Sequence, residues 1–144
     1  MKTNIDNLFV SFMLLDEKER LRKTQKATNR LAKYLSEDPE TSDKMVFSFF
    51  INVVSLFVSA NNHCGEEEWK LFNDILEGNY SYNAFYQATN GGAEPQFKEK
   101  MYEQIRVLPR RIKNDIVTIG MAFLISDKEL SESEKEVFEH VLNG

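Results

Sequence analysis

The side chains most suited to chemistry lie in an oxygen-rich segment near the carboxyl terminus. Asp127 and Glu129 stand close before Ser131, and Glu134 follows three residues after it. Carboxylate and hydroxyl oxygens gathered in one turn suit a hard cation such as Ca²⁺, which takes about six to eight oxygen ligands. The segment is therefore a candidate site for weak binding of a divalent cation, Ca²⁺ or a similar ion.

A purely structural interpretation of the same segment stays open. Ser131 with Glu134 has the spacing of a capping box, and Leu130 is placed as a hydrophobic staple. Acidic residues near a helix amino terminus also interact favourably with the helix dipole. This interpretation accounts for all of the segment except Asp127 and Glu129. The segment also lacks the twelve-residue spacing and central glycine of an EF-hand.

Other kinds of site find less support. His63 and Cys64 are adjacent, but two neighbouring ligands without a second pair do not make a zinc site. The chain has no serine or cysteine nucleophile set with a base, and no phosphate-binding loop. We therefore predict no catalytic residues and no enzyme.

The chain repeats a segment of about thirty residues. When the sequence is shifted by 66 positions, residues 50–76 lie over residues 116–142. Several residues of the first copy recur unchanged in the second; among them, Glu66, Glu68, Phe72 and Leu76 fall on Glu132, Glu134, Phe138 and Leu142. Repetition on this scale indicates one supersecondary unit used twice.

The apolar spacing predicts an all-α fold. Apolar residues recur at helical spacing in every long segment, and sustained alternation of period two is missing. The predicted helices are a basic one at 14–35, a central one at about 42–60, shorter ones at about 66–77, 81–89 and 95–108, a second central one at about 112–124, and a last one from 131. Pro109 either kinks the chain or separates two helices. We expect a single-domain bundle of about seven helices, built on a duplicated helix-loop-helix unit.

Charge is unevenly distributed along the chain. Residues 1–35 hold eight basic and four acidic side chains, while the other 109 residues hold ten basic and nineteen acidic ones. The difference predicts two faces with different partners, or simply a solvated helix surface. The basic side chains that we expect to contact a partner are Arg20, Lys23, Lys26, Arg30 and Lys33. A protein partner or a peripheral contact with an anionic membrane suits them, and nucleic acid is not expected because the chain is acidic overall.

The cellular compartment is inferred from the cysteine content and from the amino-terminal segment. Cys64 is the only cysteine, so no internal disulfide can form. The apolar run at 8–15 is too short for a signal peptide or a membrane span. We expect a cytoplasmic protein.

The repeated unit resembles the TerB-like tellurite-resistance family. The resemblance covers residues 45–142, and Asp127, Leu130, Ser131 and Glu134 match its motif of Asp-Gly-x-aliphatic-Ser-x-x-Glu. Lys128 stands where glycine is usual. In the first copy Asn61 replaces the aspartate.

The resemblance implies an all-α bacterial domain linked to stress response. It also implies divalent-cation binding through acidic loop residues and action in membrane-associated complexes. In this chain the cation would be bound by Asp127, Glu129 and Glu134, joined by Glu67 and Glu68 if the two loops meet. The replacement at Asn61 speaks against a symmetric two-loop site.

The combined hypothesis is one TerB-like domain spanning 1–144 that binds partners without catalysis. Its parts are a basic amino-terminal helix at 1–40, a first repeat at 45–77, connecting helices at 78–108 and a second repeat at 109–144. The alternative is a purely structural helical interaction protein, of the immunity or anti-activator type, that binds no ligand.

Overall fold

The computed structural model describes residues 4–59, 65–91, 94–125 and 130–143. These residues form eight α-helices and contain no strand. The helices are α1 Ile5–Met13, α2 Glu17–Ser36, α3 Asp43–Val58, α4 Glu66–Leu76, α5 Tyr82–Thr89, α6 Pro95–Arg106, α7 Arg110–Phe123 and α8 Glu132–Asn143. The all-α class is confirmed, with eight helices in the described residues instead of about seven.

The additional helix comes from the amino-terminal segment. The basic helix that we predicted across 1–40 is two helices, because Asp16 begins α2 as its N-cap and accepts a hydrogen bond from the Glu19 N–H at 2.8 Å. The preceding helix α1 buries Ile5, Phe9 and Phe12, and its nine residues include no basic side chain. The basic character therefore belongs to α2 alone.

Local capping chemistry places several other helix starts where the sequence predicts them. The Ser42 hydroxyl accepts the Met45 N–H at the start of α3, and the Ser81 hydroxyl accepts the Ala84 N–H at the start of α5. Pro109 is the N-cap of α7, so it separates α6 from α7. Each of the two serine hydroxyls provides an acceptor for an N–H group that the first helical turn leaves without a partner.

The core is organised around α3 and α7, the two central helices of the prediction. α7 packs most extensively against α2 and also contacts α1, α3 and α8. Phe57 of α3 is fully buried and lies 4.8 Å, between ring centroids, from Phe138 of α8. Gly120 of α7 faces the Phe57 ring so closely that a Cβ atom there would lie 2.5 Å from a ring carbon. The absence of a side chain at Gly120 therefore allows α3 and α7 to approach each other.

The helices differ strongly in polarity. α2, the longest at 20 residues, carries nine charged side chains, and the apolar α3 has 16 residues. A bilayer-spanning helix needs about 20 predominantly apolar residues. None of the helices in the described part of the chain reaches the combination of length and apolar character required to cross a membrane.

Candidate functional site

The helix that carries the predicted partner contacts, α2, is firmly fixed on one side. Its buried residues are Thr24, Ala27, Thr28 and Leu31. The Thr24 hydroxyl donates to the Arg20 carbonyl at 2.7 Å, and the Thr28 hydroxyl donates to the Thr24 carbonyl at 2.8 Å. These bonds satisfy the buried hydroxyls and so offset the cost of removing them from water.

Arg30, one of the predicted contact residues, forms an ion pair within the protein. Its Nε and Nη2 donate to the Asp115 carboxylate of α7, at 3.0 Å and 2.8 Å to Oδ1. Asp115 is only 5% exposed, whereas Arg30 stays open to solvent on its outer side. The hydrogen bond with Asp115 raises the pKa of Arg30, because it stabilises the protonated guanidinium. Since the two residues are 85 positions apart, no local pattern in the sequence could reveal this pair.

Arg20, another predicted contact residue, also serves the fold. Its Nη1 donates to the carbonyl oxygens of Met13 and Leu15, at the end of α1 and in the turn that follows. Carbonyl groups at a helix carboxyl end lack partners within the helix, and an arginine is well suited to supply donors there. Arg20 therefore fixes the corner between α1 and α2.

The remaining predicted contacts are exposed lysines. Lys23, Lys26 and Lys33 are open to solvent, and within the described residues none has an ion-pair partner. Lys18 and Arg22, which were not among the predicted contacts, are exposed as well. At 100° per residue, Lys18, Arg22, Lys26 and Lys33 lie within one arc of about 80° on the helix surface. We call these four residues the basic stripe; their spacing is the signal that could have identified all of them.

A cleft of about 450 Å³ lies beside this helix, between α2 and α4. It combines apolar side chains, including Phe12, Leu71 and Phe123, with charged ones of both signs. The charged lining residues are Glu17, Arg20, Glu67, Glu68, Lys70 and Asp74. The fold thus brings Arg20, predicted for partner contact, to the same cleft as Glu67 and Glu68, predicted for cation binding. Among the described residues that line the cleft there is no serine, cysteine or histidine.

Two glutamates of the predicted cation site cap the amino-terminal ends of helices. Glu134 is fully buried, and its Oε1 accepts the Ser131 N–H at 2.7 Å, while the Ser131 hydroxyl accepts the Glu134 N–H at 3.2 Å. The predicted capping box is therefore confirmed. Glu68 is 6% exposed and its Oε1 accepts the Gly65 N–H at 2.9 Å, so it performs the same task at the start of α4.

The rest of the predicted cation site is only partly described. Asp127 and Glu129 lie outside the described residues, as do His63 and Cys64. Glu67 is exposed on α4. Within the described residues, no three His, Cys, Asp or Glu side chains gather closely enough to hold a metal ion. Cation binding stays a prediction that depends on Asp127 and Glu129.

A further pair of titratable side chains joins α6 to α8. Tyr102 stacks on His140 with ring centroids 4.4 Å apart, and His140 Nε2 lies 3.8 Å from a Glu136 oxygen. Burial raises the pKa of Tyr102 to about 12, and the nearby Glu136 charge adds to this. The phenol is therefore neutral at physiological pH, and the pair acts as packing between the two helices.

The candidate site as a whole is the basic stripe of α2 with the neighbouring cleft. Its geometry supplies a charged, rigid surface and a mixed polar and apolar recess. Comparison with known proteins assigns no function to this arrangement. The chain matches no protein-family model, no curated protein and no solved structure.

Proposed function

We propose that this chain is a non-enzymatic helical interaction domain, resembling TerB and linked to bacterial stress response, that binds an acidic protein partner through α2. The observation that carries the proposal is the basic stripe, Lys18, Arg22, Lys26 and Lys33, on the outer side of a helix whose inner side is fixed on α7. A 20-residue helix is about 30 Å long. It therefore presents its charges over a distance comparable to a protein interface.

Electrostatics favour an acidic partner for this surface. The chain carries a net charge of −5, yet α2 holds seven basic and two acidic side chains. Such a local reversal of sign directs the approach of a negatively charged surface and disfavours other orientations. Arg20 and Arg30 bind groups within the protein, so the exposed lysines and Arg22 are the side chains available for contact.

The TerB-like part of the proposal is supported by the positions of the helices. Under the 66-residue shift, α3 and α4 correspond to α7 and α8 with ends that agree within one or two residues. Glu68 and Glu134 correspond as well, and both accept the N–H of the residue that begins their helix. These agreements favour a duplicated helix-loop-helix unit.

Weak binding of a divalent cation is the second part of the proposal. It rests on the match of Asp127 and Glu134 to the family motif, with Glu129 as a further oxygen donor. The alternative is a helical interaction protein without any ligand. Under that alternative the acidic residues serve only as helix caps.

We expect charge reversal on the basic stripe to abolish binding of the partner. The variant Lys26→Glu with Lys33→Glu should retain less than about one tenth of the captured partner, because opposite charges at an interface become like charges. The measurement is capture by the immobilised full chain from a lysate of the encoding organism, followed by identification of the retained acidic protein. Lys44→Glu with Lys100→Glu is the matched control: it changes net charge equally at exposed lysines of α3 and α6.

Equal loss in the control variant would show that net charge, and not the stripe, governs capture. Undiminished capture by the stripe variant would contradict the proposed function. A parallel assay with phosphatidylserine vesicles distinguishes the other partner class. Vesicle binding that is lost in the stripe variant, with no protein captured, would assign the stripe to a membrane surface.

The cation proposal predicts a saturable calorimetric signal. Chelator-stripped protein titrated with Ca²⁺, Mg²⁺, Mn²⁺ and Zn²⁺ should release or absorb heat with one of them. Asp127→Ala should weaken that binding at least about tenfold, since a hard cation depends on charged oxygen ligands. A flat trace with all four cations would leave the ligand-free alternative.

A further inference from the structure

A second surface differs from the basic stripe because the segment that forms most of it has no charged side chain. Residues 78–93 include no Asp, Glu, Lys or Arg, in a chain of which 28% is charged. The same stretch holds Tyr80, Tyr82 and Tyr86, three of the five tyrosines. We call these three residues, together with Trp69 of α4, the tyrosine face.

Three rings of the tyrosine face, those of Trp69, Tyr82 and Tyr86, contact one another in a row. Trp69 meets Tyr82 edge-on with centroids 5.9 Å apart, and Tyr82 stacks on Tyr86 at 6.2 Å. Tyr80 lies 5.9 Å from Phe47 of α3. The three tyrosines remain 41%, 41% and 40% exposed, which is unusual for adjacent large aromatic side chains.

The backbone beneath the rings is held in place. The Asn73 side-chain amide of α4 donates to the Tyr80 carbonyl at 3.0 Å, and its Oδ1 accepts the Tyr80 N–H at 2.8 Å. The Trp69 indole N–H donates to the same carbonyl at 2.7 Å. These bonds fix the segment between α4 and α5, so the rings need little further ordering when something docks on them.

The turn into this segment adopts a conformation that is unusual for its residue. Glu77 has a φ of 52°, and no other non-glycine residue in the described ranges has a positive φ. At Gly78, a Cβ atom would lie 2.8 Å from the Tyr80 ring. Left-handed backbone at a residue other than glycine is retained where the surroundings over-determine it. The glycine at position 78 leaves room for the Tyr80 ring beside this turn.

We propose that the tyrosine face is the contact surface between two copies of this chain. Enrichment in tyrosine and tryptophan with depletion of charge is the composition of an interface core. Two copies that each carry a net charge of −5 repel each other through most of their surface, whereas the tyrosine face is neutral. At its edge, Glu66 and Lys70 neutralise each other in an ion pair of 3.5 Å.

The same neutrality argues against a charged occupant. A strongly basic or acidic partner would require charges of opposite sign within the patch, and residues 78–91 provide none. In a two-fold symmetric dimer, the neutral surface of one copy instead packs against the same surface of the other. Symmetry then repeats every contact between the rings. This inference is independent of the partner proposed for α2.

Sedimentation equilibrium of the full chain over a dilution series tests the proposal. The wild type is expected to pass reversibly from dimer to monomer on dilution, and Tyr86→Glu should weaken the dimer at least about tenfold, because it buries a charge in the contact. Val107→Glu is the matched control, since Val107 is 80% exposed on another helix end and the substitution adds the same charge. It should dimerise like the wild type.

Trp69 provides a second readout because it is the only tryptophan. Its emission should shift to shorter wavelength as concentration rises, and the shift should disappear in Tyr86→Glu but persist in Val107→Glu. A wild type that stays monomeric over the whole series overturns the proposal. Equal dimerisation of wild type and Tyr86→Glu, or loss of the dimer in Val107→Glu, also overturns it. Circular dichroism of each variant verifies that it is folded.

Discussion

Replacement of Gly120 by valine is expected to lower the free energy of unfolding by about 3 kcal/mol, near the upper end for overpacked cores. The first atom of the new side chain would lie 2.5 Å from a carbon of the Phe57 ring. Phe57 is fully buried and packs on Phe138 at 4.8 Å, so its ring has no space to withdraw into. Denaturant unfolding monitored by circular dichroism measures the change.

Gly91→Val is the matched control for this experiment. A Cβ atom at Gly91 would meet none of the described residues within 4 Å, so we expect a change of less than about 0.5 kcal/mol there. Equal effects at the two glycines would show that the loss of backbone freedom, and not the contact with Phe57, determines the outcome. Partial recovery when Phe57→Leu is added to Gly120→Val would locate the strain at the ring.

Replacement of Glu134 by alanine is expected to lower the free energy of unfolding by about 2 kcal/mol, the upper value for loss of a helix cap. The variant removes the acceptor of the Ser131 N–H, which the carboxylate binds at 2.7 Å. It also leaves a space in the core, because Glu134 is 0% exposed. Thermal unfolding in the presence of a chelator measures the effect without any cation.

Two comparisons make this result specific to the cap. Glu134→Gln retains an oxygen acceptor and should recover most of the lost stability, and the exposed Glu132→Ala should change it by less than about 0.5 kcal/mol. An unchanged stability in Glu134→Ala would contradict the structural role of this carboxylate. A rise of the wild-type melting temperature with Ca²⁺, absent in Asp127→Ala, would instead favour the cation proposal.

Much of the fold is predictable from the sequence because helices are specified locally. Apolar spacing along α3 and α7 and the cap residues Asp16, Ser42 and Ser81 lie within a few positions of the structure that they determine. The capping box of Ser131 and Glu134 is local in the same sense. The division of the first 36 residues into α1 and α2 was missed.

The roles of individual basic residues depend on partners far away in the chain. Five of them were predicted to meet a partner from their shared charge and helix alone. The fold pairs Arg30 with Asp115, 85 positions away, and directs Arg20 to carbonyl groups near the end of α1. Lys23, Lys26 and Lys33 remain exposed.

The all-α class, most helix limits and the capping of α8 can be read from the sequence, because they depend on spacing and hydrogen bonds within a few residues. The charges available on α2, the position of the cleft and the assembly of the tyrosine face follow from the packing of the helices. Each of these depends on contacts between segments that are distant in sequence. The ion pair that removes Arg30 from the free charges of α2, for example, joins it to Asp115 of α7, 85 positions away.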